Sequence, residues 1–399
     1  MTALDREAGL ERGRRDSGGG SATIEDQRHL FDIPEGVTFL NCASRSPLLR
    51  ASTAAGEAGV KRKVRPWDAD PFAAPSEAEE LRALFAGLIG AQTGDIAIVP
   101  AASYGIMTAA INLPLGPGQT ILVPEEPFPS HFYAWRERAG DTGARIETVP
   151  EPVDGDWTAA VLERIGPNTA VAALPACRWS NGAALDTEAI GLRCRETGTA
   201  LVLDATQAVG AMPLDVGRIR PDFLIAAAYK WLLCPYTLAF LYAAPERQDG
   251  RALEGHMFNH LNAAAVEGPI VYPEARTPGA RRYDMGEVFN PIQLPMAVAA
   301  LRQLAAWTPA GIAETLRPLT EAIAQRAAER GLWAPPAGRR VGHFIGLRDS
   351  AGWPERLGQA LAAEGVYVSL RSGTLRVSPH LFNTTDDVTR LFRVLDRLR

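Results

Sequence analysis

Seven short apolar runs, most of them free of interrupting polar residues, constrain this 399-residue chain more than any other feature. They are Ile96–Val99, Thr120–Val123, Arg145–Val149, Ala170–Leu174, Ala200–Leu203, Phe223–Ala226 and Leu238–Tyr242. A strand wetted on one face alternates apolar and polar residues, whereas a strand covered on both faces does not. Several intervals are long enough for a crossover helix, and Pro152–Glu163 and Thr187–Glu196 suit two of them. Leu81, Leu84, Phe85 and Leu88 recur at helical spacing ahead of the first run. The pattern predicts an α/β fold with a mostly parallel seven-stranded sheet covered by helices.

Beyond the runs, Ala264–Arg282 is rich in Pro, Gly and charge and reads as an excursion from the large unit. Helical patterns follow through Val298, Leu301 and Leu304, and through Leu316, Leu319, Ile323 and Ala327. Next come a run at His343–Leu347, a helix near Trp353–Glu364, a strand pair at Val366–Leu370 and Thr374–Val377, and a helix at Thr385–Leu398. Thr384, followed by Asp386 and Asp387, is a helix-start signal. The expected division is a disordered leader at 1–24, a large α/β domain at 25–290 and a smaller α+β C-terminal domain at 291–399.

Composition excludes several classes. The net charge of −5 supplies no basic stripe for nucleic acid. No run approaches the ~18 apolar residues of a membrane helix, and the leader lacks a signal-peptide core, so a cytoplasmic location is expected. Cys42, Cys177, Cys194 and Cys234 form no CxxC pair and read as buried thiols. His256 and His260 stand four apart without a third ligand, which favours a polar helix face over a metal site.

Ligands bind beyond the carboxyl ends of strands in open α/β sheets, and four runs end in suggestive residues. After Val99, small residues lead to Ser103 and Tyr104 at a helix start, suited either to an anion or to ordinary capping. After Val123, Phe128 and then His131 are candidates to stack on a planar group, with plain core packing as the alternative for Phe128. Asp204 ends a buried run, with Gln207 three residues on, and either meets a cation or caps a helix at 205–209. Lys230 lies between Tyr229 and Trp231 after an apolar run, in a chain with only two other lysines, Lys61 and Lys63. Desolvation there makes an amine nucleophilic. Lys230 and Asp204 together suit pyridoxal phosphate, which takes a lysine as Schiff-base partner and a carboxylate on its ring nitrogen. Arg376, on the strand Thr374–Val377, suits a carboxylate ligand, and a surface salt bridge is the alternative.

In Asp204-Ala205-Thr206-Gln207-Ala208-Val209-Gly210, Pro221-Asp222-Phe223 and Tyr229-Lys230-Trp231, the chain resembles the class V aminotransferase family of fold-type I pyridoxal phosphate enzymes. Leu40-Asn41-Cys42-Ala43 and the segment Val377–Thr384 resemble that family's terminal signatures, so the likeness spans about residues 31–399. The resemblance implies Lys230 as covalent anchor, Asp204 on the ring nitrogen, Gln207 on the ring oxygen, Ser103 and the Tyr104 backbone on the phosphate, and Arg376 on the substrate carboxylate. It also implies a homodimer with sites near its interface, to which the Arg281–Pro291 segment contributes, and an N-terminal arm near 32–50 packed on the small domain. Trp179, Asn181, His131, Tyr236 and Asn290 are the candidates for the substrate pocket. The chain departs from many members in carrying Ala227 and Tyr229 before the lysine; the tyrosine is similar to the kynureninase branch, where it contacts phosphate. Arg282–Glu287 replaces the Gly-Thr that contacts the partner's phosphate. Residues 330–376 contain no Cys, against desulfuration by a mobile thiol. The expected activity is that of an aminotransferase, with lyase, kynureninase-like hydrolase or epimerase as alternatives and a catalytically silent fold as the non-enzyme reading.

Overall fold

The computed structural model describes residues 23–261 and 272–399. The expected leader lies outside the described residues except for its last two positions, and there the Ile24 amide already donates to Thr315 Oγ1 at 2.8 Å. The first part of the expected excursion, through residue 271, also lies outside them.

All seven apolar runs are strands: β1 (Ile96–Val99), β2 (Thr120–Pro124), β3 (Arg145–Val149), β4 (Thr169–Pro175), β5 (Ala200–Asp204), β6 (Phe223–Ala227) and β7 (Ala239–Ala243). They form one sheet in the order β1-β7-β6-β5-β4-β2-β3, in which only β7 runs against its neighbours. Alternate side chains enter two apolar layers. Leu122, Leu174, Leu203 and Leu224 lie in one, with Phe85 and Leu301 from helices Ala73–Ile89 and Gln293–Trp307. Val123, Val171, Val202 and Ile225 lie in the other, with Ile106 and Trp135 from helices Ala102–Asn112 and Ser130–Thr142. Covering both faces explains why the runs are uninterrupted. The edge strand β3 is partly exposed and keeps Arg145, Glu147 and Thr148.

A buried ion pair ties the start of this sheet to a distant segment. Arg82 donates to both carboxylate oxygens of Asp284, at 2.9 and 2.5 Å, and to Ile96 O at 2.8 Å. Asp284 also accepts the Ile98 amide at 2.9 Å. The segment Arg281–Pro291 therefore packs on its own sheet here, with Met285 N donating to Ile98 O at 3.0 Å.

The C-terminal part builds an antiparallel sheet from β8 (Ile345–Leu347), β9 (Ser369–Arg371) and β10 (Thr374–Val377), in the order β9-β10-β8. The run expected as one strand at 366–370 is split: Val366–Tyr367 pairs in parallel with Thr38–Phe39 of the N-terminal arm, and Ser369 onward pairs with β10. The arm thus joins the C-terminal part, and Ser378 N donates to Leu40 O at 2.8 Å. Thr384 and Asp387 form a capping box on the last helix, Thr385–Leu398.

Four local expectations change. Residues 205–209 form turns, not a helix. The helices expected at 152–163 and 353–364 shorten to Trp157–Leu162 and Leu357–Ala363. His256 and His260 flank a one-turn 3-10 segment, Met257–Asn259, and share no helix face; their rings bond the carbonyls of Asp284 and Pro273.

Gly210, at the end of the 205–210 turns, has φ +89°, and a Cβ there would lie 2.6 Å from Trp231 O. Gly210→Ala meets both a left-handed backbone and a fixed carbonyl, so it is expected to cost about 2–3 kcal/mol of stability. An unchanged urea midpoint would show that the turn relaxes freely.

Candidate active site

The carboxyl ends of β1, β2, β4, β5 and β6 share one edge of the sheet, and their loops surround a cavity of about 400 Å³. Lys230 lies in the β6–β7 loop. That loop is closed at its base by Ala228 N to Leu238 O and Cys234 N to Ala228 O, both 3.0 Å. Ser46 of the N-terminal arm clamps it, its hydroxyl donating to Lys230 O at 2.6 Å. The Lys230 side chain is buried and lines the cavity without an ion-pair partner among the described residues. Burial pushes its ammonium down to about 8; Asp204 opposes that change, and Arg376 and Arg371 add to it.

The depressed value has a direct consequence. Acylation of the apo-protein by a water-soluble amine reagent, followed by peptide mass mapping, is expected to label Lys230 with a pH midpoint near 8, against exposed Lys61 and Lys63 as internal references. A midpoint near 10.5 would mean that the amine is solvated. In the same window the unfolded chain binds more protons than the folded one, so this group's contribution to apo-protein stability rises between about 8 and 10.5.

At the end of β1 the helix Ala102–Asn112 points its first turn at the cavity. The amides of Ala102 and Ser103 have no hydrogen-bond partner among the described residues, and Ser103 lines the cavity beside them. Unpaired amides at a helix start attract anions. Tyr104 is placed differently: its amide donates to Ala101 O at 3.1 Å, and Tyr104 does not line the cavity.

Asp204 ends β5 and lines the cavity. Its Oδ1 accepts the Thr206 amide at 3.0 Å, a short turn in place of the helix cap considered from sequence. Thr206 Oγ1 in turn accepts Ala227 N at 3.0 Å, joining the ends of β5 and β6 that carry Asp204 and Lys230. Gln207 lines the cavity with its amide anchored: Nε2 donates to Ala43 O at 2.9 Å and Oε1 accepts Trp231 Nε1 at 2.8 Å. One Nε2 proton remains for a ligand. Phe128 is half-buried, and Lys230 Nζ lies 5.1 Å from its ring centre. His131 is buried behind it beside Asp204 and Gln207. Burial lowers the His131 pKa, keeping the ring neutral, and Asp204 works the other way.

A second cavity of about 380 Å³ adjoins the first and shares Phe128, Trp179, Tyr229 and Lys230 with it. Arg376 lines it from β10. The arginine is buried, donating through Nη1 to Trp179 O at 2.7 Å and through Nη2 to Ser44 Oγ at 2.6 Å, while its Nε has no partner. It has no carboxylate partner among the described residues, so the surface salt bridge is not what it makes. Tyr229 and Tyr236 stack at 4.4 Å on the wall of the first cavity.

Two expected pocket residues lie outside both linings. Asn181 does not line either cavity; its Oδ1 accepts Ala183 N at 3.0 Å, and its backbone packs against Gly346. Asn290 Oδ1 accepts Ile292 N and Gln293 N at 3.0 Å in the turn that leads into the helix Gln293–Trp307. Residues outside the expected set also enter the site: Ser44, Ser46, Thr206, Arg371 and Thr237. Ser44 and Ser46 follow the Leu40–Ala43 signature and Thr206 lies within the Asp204–Gln207 run, so proximity to those motifs was the available signal. Thr237, a β-branched residue at φ +62° on the cavity wall, had none.

The residues fit pyridoxal phosphate: an unpaired anion cradle at Ala102–Ser103, a buried amine without a counter-ion, a strand-end carboxylate and a half-buried ring beside the amine. Fold and site together define a fold-type I, pyridoxal-phosphate-dependent enzyme. Residues 71–262 match the family model for Aminotransferase class-V. It is 26% identical over 373 residues to the uncharacterized aminotransferase YcbU of Bacillus subtilis, covering 91% of this chain and 95% of that one. It is 25% identical over 406 residues to isopenicillin N epimerase of Streptomyces clavuligerus, covering 94% and 98%. A structure of a C-DES mutant with glycine covalently linked to its cofactor superposes with TM-score 0.80 at 19% identity, covering 93% and 99%, a likeness of fold. No helix among the described residues is long and apolar enough to cross a membrane.

Proposed function

We propose that the protein is an aminotransferase acting on an amino acid or a similar amino-carboxylate. Lys230 would anchor pyridoxal phosphate covalently, Asp204 would meet the ring nitrogen, Gln207 the ring oxygen, Phe128 the ring, and Ser103 with the Ala102–Ser103 amides the phosphate. Tyr229, on the same cavity wall, would border the phosphate. Pyridoxal phosphate held there supplies an aldehyde for the substrate amine and a protonated ring that draws electron density from the substrate. Arg376 grips the substrate carboxylate and, with Trp179, sets the α-carbon towards Lys230.

Lys230 Nζ would take the substrate's α-proton as general base and later return a proton. Its pKa of about 8 leaves an appreciable neutral fraction at neutral pH. The observation that carries the reading is that Lys230 is the one amine in the linings of both cavities, which hold no cysteine and no carboxylate besides Asp204. Proton movement by Lys230 is sufficient for amino transfer, whereas desulfuration needs a mobile thiol. Cys177, near Asp204, is buried, and burial pushes its thiol well above the usual range.

The test is product analysis of the holoenzyme with amino acids and a 2-oxo acid acceptor. Equal amounts of a new oxo acid and a new amino acid are expected. Ammonia and pyruvate without an acceptor would instead identify a lyase, the opposite enantiomer an epimerase, and no product from any substrate a silent fold. A homodimer belongs to the same reading, and exposed Val64, Trp67 and Phe72 supply apolar surface for it. Sedimentation as a monomer at micromolar concentration would count against it.

A further inference from the structure

Two arginines face the second cavity, and only one is needed for a substrate's α-carboxylate. Arg371 ends β9, and the hairpin register pairs it with Thr374 and pairs Ser369 with Arg376. Residues two apart on a strand share a face, so Arg371 and Arg376 are diagonal neighbours on one face of the hairpin. The connecting turn, Ser372-Gly373, has positive φ at both positions, +44° and +71°. That is the tight two-residue geometry which fixes register, so Arg371 is set by a strand rather than by a loose loop.

Both side chains line the second cavity together with Lys230. No acidic residue lines it, and neither arginine has a carboxylate partner among the described residues, although many other arginines of the chain do. Like charges on neighbouring positions repel. The repulsion is felt at the site, since Arg371 disfavours the charged forms of both Lys230 and Arg376. A cavity with two guanidiniums and no carboxylate in its lining is incomplete until its ligand brings negative charge.

Resting on the amino-acid reading above, we infer that the substrate is an amino dicarboxylic acid: Arg376 takes the α-carboxylate, and Arg371 takes a second carboxylate at the end of the side chain. Arg371 is exposed and reaches the cavity from its solvent side, whereas Arg376 is buried. The deeper guanidinium, anchored on Trp179 O and Ser44 Oγ, suits the invariant part of a substrate, and the outer one the variable part.

The test compares L-aspartate and L-glutamate with L-asparagine and L-glutamine on the holoenzyme, following cofactor absorbance and product. It also compares succinate with butyrate by calorimetry, which reads binding without turnover. At least one acid is expected to exceed its amide by about tenfold or more in kcat/KM, and succinate to bind about tenfold tighter than butyrate. Arg371→Gln is expected to collapse both ratios, and Arg371→Lys to keep part of each. Equal use of acid and amide, or an Arg371→Gln effect that is the same for both, overturns the assignment. A response confined to neutral amino acids overturns this inference alone, and silence towards every amino acid overturns the parent reading with it.

Discussion

Lys230→Ala is expected to abolish covalent cofactor attachment and to lower turnover by about 10³-fold or more, the scale of losing a positioned general base together with the anchor. The site offers no substitute amine, because Lys61 and Lys63 lie on the exposed helix Arg50–Val64, away from both cavities. Borohydride reduction of the wild-type holoenzyme followed by mass mapping is expected to leave a pyridoxyl group on the Lys230 peptide and on no other. An adduct on Lys61 or Lys63, or normal activity in the alanine variant, would remove Lys230 from the mechanism. Charge is a further control. Lys230→Met removes a buried ammonium and is expected to stabilise the apo-protein at neutral pH while abolishing turnover. A loss of both would point to misfolding rather than chemistry.

The second large effect is on stability. Asp284→Ala is expected to cost about 3 kcal/mol, because it leaves the buried Arg82 guanidinium with only the Ile96 carbonyl and the half-exposed Glu79 carboxylate, at 2.8 and 3.2 Å, as partners. Arg82 is only 2% exposed and makes two bonds to Asp284, and the Ile98 amide also loses its acceptor. Replacing both members by apolar residues, as in Arg82→Met with Asp284→Leu, is expected to cost less than Asp284→Ala, since no uncompensated charge then remains. Urea midpoints of the two variants decide it. A cost below about 1 kcal/mol for Asp284→Ala would mean that Glu79 and water suffice for Arg82. The pair also locates Met285 against β1, so its loss is expected to loosen the Arg281–Pro291 segment before the rest of the sheet.

The central sheet was legible because each strand carries its own evidence. A segment buried on both faces must be apolar at successive positions, and that requirement is local. The same holds for Thr384 and Asp387, whose capping box uses residues three apart. Where the reading failed, the deciding partner was distant. The 205–209 segment has a helix-compatible composition, yet Thr206 bonds β6 and Gln207 bonds the N-terminal arm and Trp231, which turns the chain away from a helix. The run at 366–370 looks like one strand until the arm pairs with its first half. Asn290 is a polar residue of the right type for a pocket, and only the folded chain shows that its oxygen bonds the turn leading into the following helix.

By itself, the sequence determined the class of sheet, the strand ends that carry Asp204 and Lys230, and the chemistry for which an amine and a carboxylate in those places are suited. Apolar continuity and strand termination are properties of contiguous residues, so they survive without knowledge of the fold. The tertiary structure alone decided that Arg376 bonds Trp179, 197 residues earlier, that the arm clamps Lys230, and that Arg371 shares the second cavity with both cations. Those contacts join segments with no periodicity in common. What fixes them is the packing of the C-terminal hairpin and the arm against the open edge of the sheet.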